Sequence, residues 1–479
     1  MTTASQDRIK QTVPFAVTKP DELAPQRYYD PEFYKLECEK LWPRVWQMAC
    51  RLEEIPRVGN YVLYEILDQS IIVIRTAADT VKAFYNHCPH RGQALVVPER
   101  GSRPNGFLCS FHGWQWNIDG TNRFIFSPEL FDDKTICSKT AGMRAVKCET
   151  WAGCAFINLD DNAPPLRDSL GTFGAQMDAM QVQDMRVEWW HAAKLPCNWK
   201  LAMEAFQEGY HVMATHPQLI PDGASAGPGS IYAKVPEDHV TVTRYFTAPS
   251  RPMPTEVASE QFIAAYVKYM RVLGRGMGNA LDCEKDIATA EKLHGTKLPA
   301  KVLEADTAFR RKLNDAVMAE HKAADIPIPD LNQVDKDGLA ITVNFLFPHY
   351  FLLPTYSSAA SYRVRPLGPE ECLFEVWSLQ RYPKDEQRPP LQRPTPMSWD
   401  DPRWPQIPAQ DFSNLPFEQT GLHSKGLDVL RLSNKCEGMI SNNHRLIDGY
   451  LAGLGYEQLT PAAKQVSGGI DCPIRDLGF

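Results

Sequence analysis

Residues 197–216 read CNWKLAMEAFQEGYHVMATH. At 3.6 residues per turn, Glu204, Glu208 and His211 fall at i, i+4 and i+7, so the spacing predicts one helix with all three on one side. His216 follows, and Pro217 stops the helix there. Two imidazoles and a carboxylate on one rigid element suit a borderline divalent ion such as iron, bound on one face of an octahedron. Taken alone, the stretch is equally readable as a solvated charged helix with incidental histidines.

Two further groups of ligating side chains lie upstream. Cys88-Pro89-His90-Arg91-Gly92 and Cys109-Ser110-Phe111-His112-Gly113-Trp114 each pair one thiol with one imidazole. Such a set suits either a closed tetrahedral Zn²⁺ site or a Rieske [2Fe–2S] centre, in which two Cys hold one iron and two His the other. Zinc fingers group Cys with Cys and His with His. Here each loop donates one of each, as it must if both loops reach both irons, and the mixed spacing favours the cluster. Nitrogen donors in place of two thiolates raise the potential above that of an all-Cys ferredoxin, so such a centre passes single electrons at moderate potential. Trp114 and Trp116 either shield the cluster or belong to the ordinary core, and Arg91 reads as a surface or interface charge.

The rest of the chain supplies scaffolding for these groups. Its 479 residues exceed one ordinary core and predict two domains. A net charge of -7 spread over both signs, with no basic stripe among aromatics, argues against nucleic acid as a partner. No stretch approaches the ~20 apolar residues that span a bilayer, and the first residues lack the apolar core of a signal peptide, so a cytoplasmic protein with no membrane contact is expected. Twelve cysteines are too sparse for a disulfide framework. Residues 1–40 read as a loop and a short helix over Glu32–Trp42. Period-two runs at 60–67, 69–76 and 80–87, a strand pair turning at Asp119-Gly120, and a strand at 153–160 predict an all-β domain over 41–160. A polar hinge at 161–165 opens the second domain. Loops at 221–229 and 249–254 flank strands YAKV (232–235) and VTVTRYFTA (240–248). Helical spacing of Phe262, Tyr266, Tyr269 and Leu273, and of Val302, Phe309, Leu313 and Ala316, marks a helical insertion over about 250–330. Gly274, Gly276 and Gly278 follow no strand, so they read as a helix end, not a phosphate cradle. Runs at 339–347, 350–356, 361–367 and 373–382 predict an antiparallel sheet backed by the 197–216 helix, an α+β arrangement. A Pro-rich stretch from Pro383 to Pro408 then leads into a helix over Asp411–Arg431.

The pairs Cys88/His90 and Cys109/His112, followed by Asn198-Trp199-Lys200, Glu208, His211 and His216, resemble the terminal oxygenase (alpha) subunits of the Rieske non-haem iron oxygenases, the ring-hydroxylating family. The resemblance implies an α+β chain: an N-terminal segment (1–40) packed on the catalytic domain, an all-β Rieske domain (41–160), and a helix-grip (START-like) catalytic domain with an antiparallel sheet (161–479). It assigns Cys88, His90, Cys109 and His112 to the [2Fe–2S] cluster and His211 and His216 to a mononuclear Fe(II). Asp411 best matches the carboxylate that completes the iron site, with Asp400 and Asp401 as weaker candidates. Glu208 then takes a different role, bridging by hydrogen bonds between a cluster histidine of one subunit and an iron histidine of the next within a homotrimer. Glu at that position resembles the branch that acts as homotrimers without a second subunit, including oxygenases of quaternary ammonium compounds. Ala205 stands where many members carry Asn, so that position is given no role.

The implied activity is O₂-dependent hydroxylation, single or double, or oxidative demethylation of an aromatic or other apolar small molecule. Phe206, Leu201, Phe345, Phe347, Tyr356 and Trp404 are the candidate pocket walls. The electrons must come from NAD(P)H through a separate reductase, with or without a ferredoxin, because the chain carries neither a Rossmann fingerprint nor a plant-type ferredoxin Cys pattern. A quaternary ammonium or amine substrate is the alternative. A Rieske electron carrier and a zinc-stabilised binding protein are the competitors from other classes.

Overall fold

The computed structural model describes residues 2–132, 135–137, 140–219, 256–470 and 472–479. The loops predicted at 221–229 and 249–254 and the strands at 232–235 and 240–248 lie outside the described residues. The chain forms two compact units, one comprising 37–166 with 388–393, the other 1–36, 167–387 and 394–479. The return of 388–393 to the first unit was not anticipated from the sequence. It is held there by Arg393, which pairs with Glu54 and Glu99, and by the Leu391 carbonyl, which accepts from Arg100.

In the first unit, the β-branched and aromatic runs become antiparallel neighbours. Asn60–Ile66, Gln69–Ala77 and Thr80–Tyr85 pair in register through Leu63↔Ile72 and Ile72↔Phe84. They are part of a seven-stranded sheet whose other edge is Gln47–Arg51 beside Cys154–Asn158 and Ala145–Trp151. A second, three-stranded sheet contains Phe107–Leu108, Gln115–Trp116 and Asn122–Phe124. The expected turn falls between the last two, where Asp119 accepts from Thr121 and Gly120 has φ of 86°. Tyr61, Leu63, Ile72, Ile74, Phe84 and Trp116 form one core with Cys88, Cys109 and Trp114. Each fully buried side chain of this size is worth roughly 2–3 kcal/mol, so the two Cys loops are rooted in well-stabilised structure.

The second unit is built on a seven-stranded sheet in the order Met397–Ser398, Met185–Leu195, Glu371–Arg381, Ser358–Gly368, Tyr350–Pro354, Asn344–Leu346, Gly468–Gly469. Four of these strands lie in the runs expected from the sequence. Met185–Leu195 was not legible as a strand: a register shift between Val187 and Trp189 breaks its alternation. The insertion holds the helices Ser259–Gly276, Glu284–Glu291 and Val302–Ala323, with Phe262 and Tyr266 packed on Phe309. Gly276 sits so near Ile407 that an added Cβ would lie 2.7 Å from its Cδ1, which accounts for the glycines as a helix end pressed on its neighbour. The helix expected over Asp411–Arg431 is Gln406–Leu422 instead, and Leu430–Arg431 forms a short strand with Glu22–Leu23.

The single helix expected over 197–216 is a correction of greater consequence. It is two helices, Trp199–Glu204 and Val212–Thr215. Asn198 caps the first by accepting the Lys200 N–H at 3.0 Å. After Glu204 the winding tightens: the Phe206 and Gln207 N–H groups bond back three residues, to Met203 and Glu204, and the helix ends. Glu208 then accepts the backbone N–H groups of Tyr210 and His211, which starts a new turn. Glu204 and Glu208 therefore do not share a face.

Candidate metal centres

The two Cys loops of the β unit are built alike. In each, the Cys N–H donates to the carbonyl five residues on (Cys88 to Gln93, 2.8 Å; Cys109 to Trp114, 2.9 Å), and the Cys carbonyl accepts from the glycine four residues on (Gly92, 2.9 Å; Gly113, 3.0 Å). Gly92 and Gly113 take φ of 80° and 75°, the left-handed turn that folds each loop back on itself. The loops bring like atoms together. The Cys88 thiol hydrogen-bonds Cys109, and burial pushes it up. His90 Nδ1 and His112 Nδ1 lie 3.1 Å apart. A thiol pair and a ring-nitrogen pair, one member of each from either loop, match the donor split of a Rieske cluster, in which two Cys hold one iron and two His the other. Trp114 stacks on His90 with ring centroids 5.0 Å apart, so it shields this site while belonging to the core. Phe111 is 53% exposed and Arg91 stacks over it at 4.7 Å.

In the second unit, His211, His216 and Asp411 converge, with one potential ligand atom from each within 4.8 Å of the others. Asp411 Oδ1 lies 2.9 Å from His216 Nε2 and 3.5 Å from His211 Nε2. Behind the rings, His211 Nδ1 contacts Glu208 Oε1 at 2.7 Å and His216 Nδ1 contacts Gln410 Oε1 at 2.9 Å. Both outer partners are acceptors, so each Nδ1 carries a proton and each Nε2 faces a carboxylate oxygen. That oxygen is buried without a hydrogen bond of its own. Two ring nitrogens and a carboxylate oxygen converging on one point require a positive charge among them, a proton or a metal ion, and this donor set fits a divalent ion. The ionisation behaviour has the same cause. Burial opposes charge on His211, yet Asp411 and Glu208 outweigh it and raise the ring to about 10. Burial likewise works against the Asp411 carboxylate, but His211 and His216 hold it below the usual range.

Asp400 and Asp401 are directed elsewhere, onto Ser398 and Arg403. Of the proposed wall residues, Phe206 packs on Phe351, Tyr362 and Phe374, and Trp404 packs on Phe412, whose ring also meets Phe374. This aromatic group reaches the metal set through Tyr362, whose phenol is pushed up by burial and by Asp411. Phe345 joins it through Phe351. Leu201 is buried within its helix, Phe347 stacks on Tyr450, and the Tyr356 hydroxyl meets that of Tyr266 at 2.9 Å. Tyr362, Phe374, Phe412, Gln410 and Gln218 went unread in the sequence. Strand parity could have found the first two, and nothing local distinguishes the others.

A β unit with a two-Cys, two-His loop pair and an α+β unit with a two-His, one-Asp set define a protein organised around two separate metal-binding sets. Residues 182–453 match the family of the ring hydroxylating alpha subunit (catalytic domain), residues 45–129 match the Rieske [2Fe-2S] domain, and the chain belongs to the ring-hydroxylating oxygenase alpha-subunit family. It is similar to the glycine betaine monooxygenase oxygenase subunit of Pseudomonas aeruginosa, 31% identical over 198 residues that cover 41% of this chain and 45% of that protein. It is also similar to the carnitine monooxygenase oxygenase subunit of Escherichia coli, 31% identical over 196 residues that cover 40% of this chain and 52% of that protein. The matched stretch thus spans about half the length of these curated relatives. Among solved structures, naphthalene 1,2-dioxygenase with indole bound shares the fold, with a TM-score of 0.62, 18% identity, and 94% of this chain and 97% of that chain covered. The apo form of a quaternary ammonium Rieske monooxygenase shares it with a TM-score of 0.55, 16% identity, and 91% and 97% covered. Family membership brings a Rieske [2Fe–2S] cluster and a mononuclear iron as cofactors. Among the described residues, no helix is long and apolar enough to cross a membrane.

Proposed function

We propose that this chain is the terminal oxygenase of a multicomponent system, adding oxygen from O₂ to a small organic substrate by hydroxylation or oxidative demethylation. The convergence of His211, His216 and Asp411, in a chain that also pairs Cys88/His90 with Cys109/His112, carries the reading. With iron bound, the Cys88/His90 and Cys109/His112 set would supply stored single electrons and the His211, His216 and Asp411 set would supply O₂ reduction beside the substrate. The chain's own residues do the remainder. Glu208 keeps the proton on His211 Nδ1, so Nε2 stays a donor. Phe206, Tyr362, Phe374 and Phe412 put an apolar wall beside Asp411, which excludes water and favours an apolar substrate. Electrons come from NAD(P)H through a separate reductase, with or without a ferredoxin, in the cytoplasm.

The working form is a homotrimer in which the cluster of one copy serves the iron of the next. Each face suits the other. Basic Arg91 and exposed Phe111 flank the cluster histidines. Exposed Tyr210 and Phe417, with Glu418 and Glu437 in electrostatic reach of Glu208, surround the iron side. A second substrate reading, a quaternary ammonium or amine compound, is favoured by Glu208 and by the names of the two curated relatives. A panel of arenes, methoxyarenes, amines and quaternary ammonium compounds, assayed for reductase-dependent O₂ consumption and hydroxylated or demethylated product, decides. Stoichiometric product from one class supports the proposal; no substrate-dependent O₂ uptake with any reductase opposes it.

A further inference from the structure

His211 and His216 are backed by different chemistry. Behind His211 stands the Glu208 carboxylate, whereas behind His216 stands the neutral Gln410 amide, whose oxygen accepts from Nδ1 at 2.9 Å. Gln410 is itself held. Its oxygen also accepts from Gln218 Nε2 at 2.7 Å, and its Nε2 donates to Gln218 Oε1 at 3.1 Å. Neither amide of this closed pair turns over alone without setting oxygen against oxygen and nitrogen against nitrogen.

The placement in the chain adds a second constraint. Gln410 immediately precedes Asp411, and Gln218 lies two residues after His216. The amide pair thus joins the two segments that carry ligands, segments distant in sequence whose spacing only packing can set. Asn414, one turn on from Gln410, repeats the tie by donating to Thr215 Oγ1 at 3.2 Å.

We propose that Gln410, braced by Gln218, is a positioning residue of the iron centre, fixing the tautomer and ring plane of His216. It does so with a neutral amide, so His211, paired with a carboxylate, is the stronger donor of the two. The inference rests on the reading of His211, His216 and Asp411 as the iron set.

The test strips the mononuclear ion from the holoprotein while keeping the cluster, then titrates Fe(II) anaerobically against a competing chelator. EPR of the nitric oxide adduct reports the symmetry of the site. Outer partners of metal-bound histidines are typically worth 10–100-fold in affinity, so Gln410→Leu weakens Fe(II) binding by ~10–100-fold and changes the EPR rhombicity. Gln410→Glu, which still accepts from Nδ1, restores binding close to wild type. Cluster absorbance unchanged in both shows that the fold survives. Wild-type affinity and spectrum in Gln410→Leu overturn the proposal. If that variant loses its cluster, Gln218→Leu takes its place, and unchanged affinity there overturns the proposal equally. A wild-type protein that takes up no Fe(II), or a His216→Ala variant that binds it normally, overturns the iron-site reading and the inference with it.

Discussion

Glu204 is the residue whose neighbourhood least resembles what the sequence suggests. Read as sharing one helix face with Glu208 and His211, it is instead buried with the Tyr28 hydroxyl at 2.9 Å and His444 Nε2 at 2.7 Å. Burial, opposed by the Tyr28 hydrogen bond, raises it from 4.5 to about 8. Burial, then Arg27 and Lys200, hold His444 well below its ordinary value, so the pair is neutral at pH 7. The sign of the pH effect follows. At Glu204 the folded chain binds one proton more than the unfolded chain between 4.5 and about 8, and at His444 it binds one fewer below the ordinary 6.5; the two cancel from 4.5 to 6.5, so the Glu204 contribution shows as a net loss of stability as pH rises from about 6.5 toward 8. Each pH unit in that window costs about 1.4 kcal/mol at most. Glu204→Gln should flatten this part of the stability profile, gaining about 1–3 kcal/mol at pH 8 and little at pH 5, as read by urea denaturation. Glu208 calls for the opposite kind of test. Glu208→Gln should leave both metals bound and slow the single-turnover electron transfer; an unchanged rate refutes the bridging role. At this level the sequence was most legible where chemistry is local. Cys88/His90 and Cys109/His112 sit within single turns, so their spacing carried their geometry. Asp411 is brought to the histidines by packing, and resemblance alone singled it out from Asp400 and Asp401.

Two helices have to be held in register for that site to exist, and one buried amide does much of the holding. Asp411, Leu415, Gln419 and Leu422 form the buried stripe of the Gln406–Leu422 helix. Gln419 Oε1 accepts the Asn198 N–H at 2.9 Å, at the start of the helix that leads toward His211. Its Nε2 donates to the Tyr28 carbonyl at 3.3 Å and to Glu370 at 2.8 Å. Gln419→Leu keeps the volume but strands a buried N–H and a buried carbonyl, so it should cost about 1–3 kcal/mol in denaturant unfolding. Element boundaries failed in the sequence reading for identifiable reasons. The 197–216 helix broke because Glu208 preferred to accept the N–H groups of Tyr210 and His211, an interaction that helical periodicity does not register. The strand Met185–Leu195 was hidden by its own irregularity. The sheet runs after 338, with no such defect, were found.

Across the whole molecule, the two units divide the work: one is organised around the Cys/His loops, the other around the His/Asp set. If electrons cross between copies, two inactive variants should rescue each other. A Cys109→Ser protein lacking a competent cluster, co-refolded or co-expressed with a His211→Ala protein lacking the mononuclear iron, should recover part of the wild-type turnover in mixed trimers; no recovery in verified mixed trimers speaks against transfer between subunits. Arg91 and Phe111 on one face, Phe417 and Glu418 on the other, are visible in the sequence only as charges and aromatics, because a surface of the kind the proposed trimer would share leaves no period to read. That two metal centres of different kinds reside in each chain is the claim on which all the rest depends. Iron and sulfide analysis of the anaerobically purified protein, with EPR before and after reduction, tests it: about three irons and two acid-labile sulfides per chain, a Rieske signal on reduction, and His211→Ala retaining that signal while losing one iron, are predicted. Zinc in place of iron with no visible absorbance, or a His211→Ala protein that keeps all its iron, would contradict it.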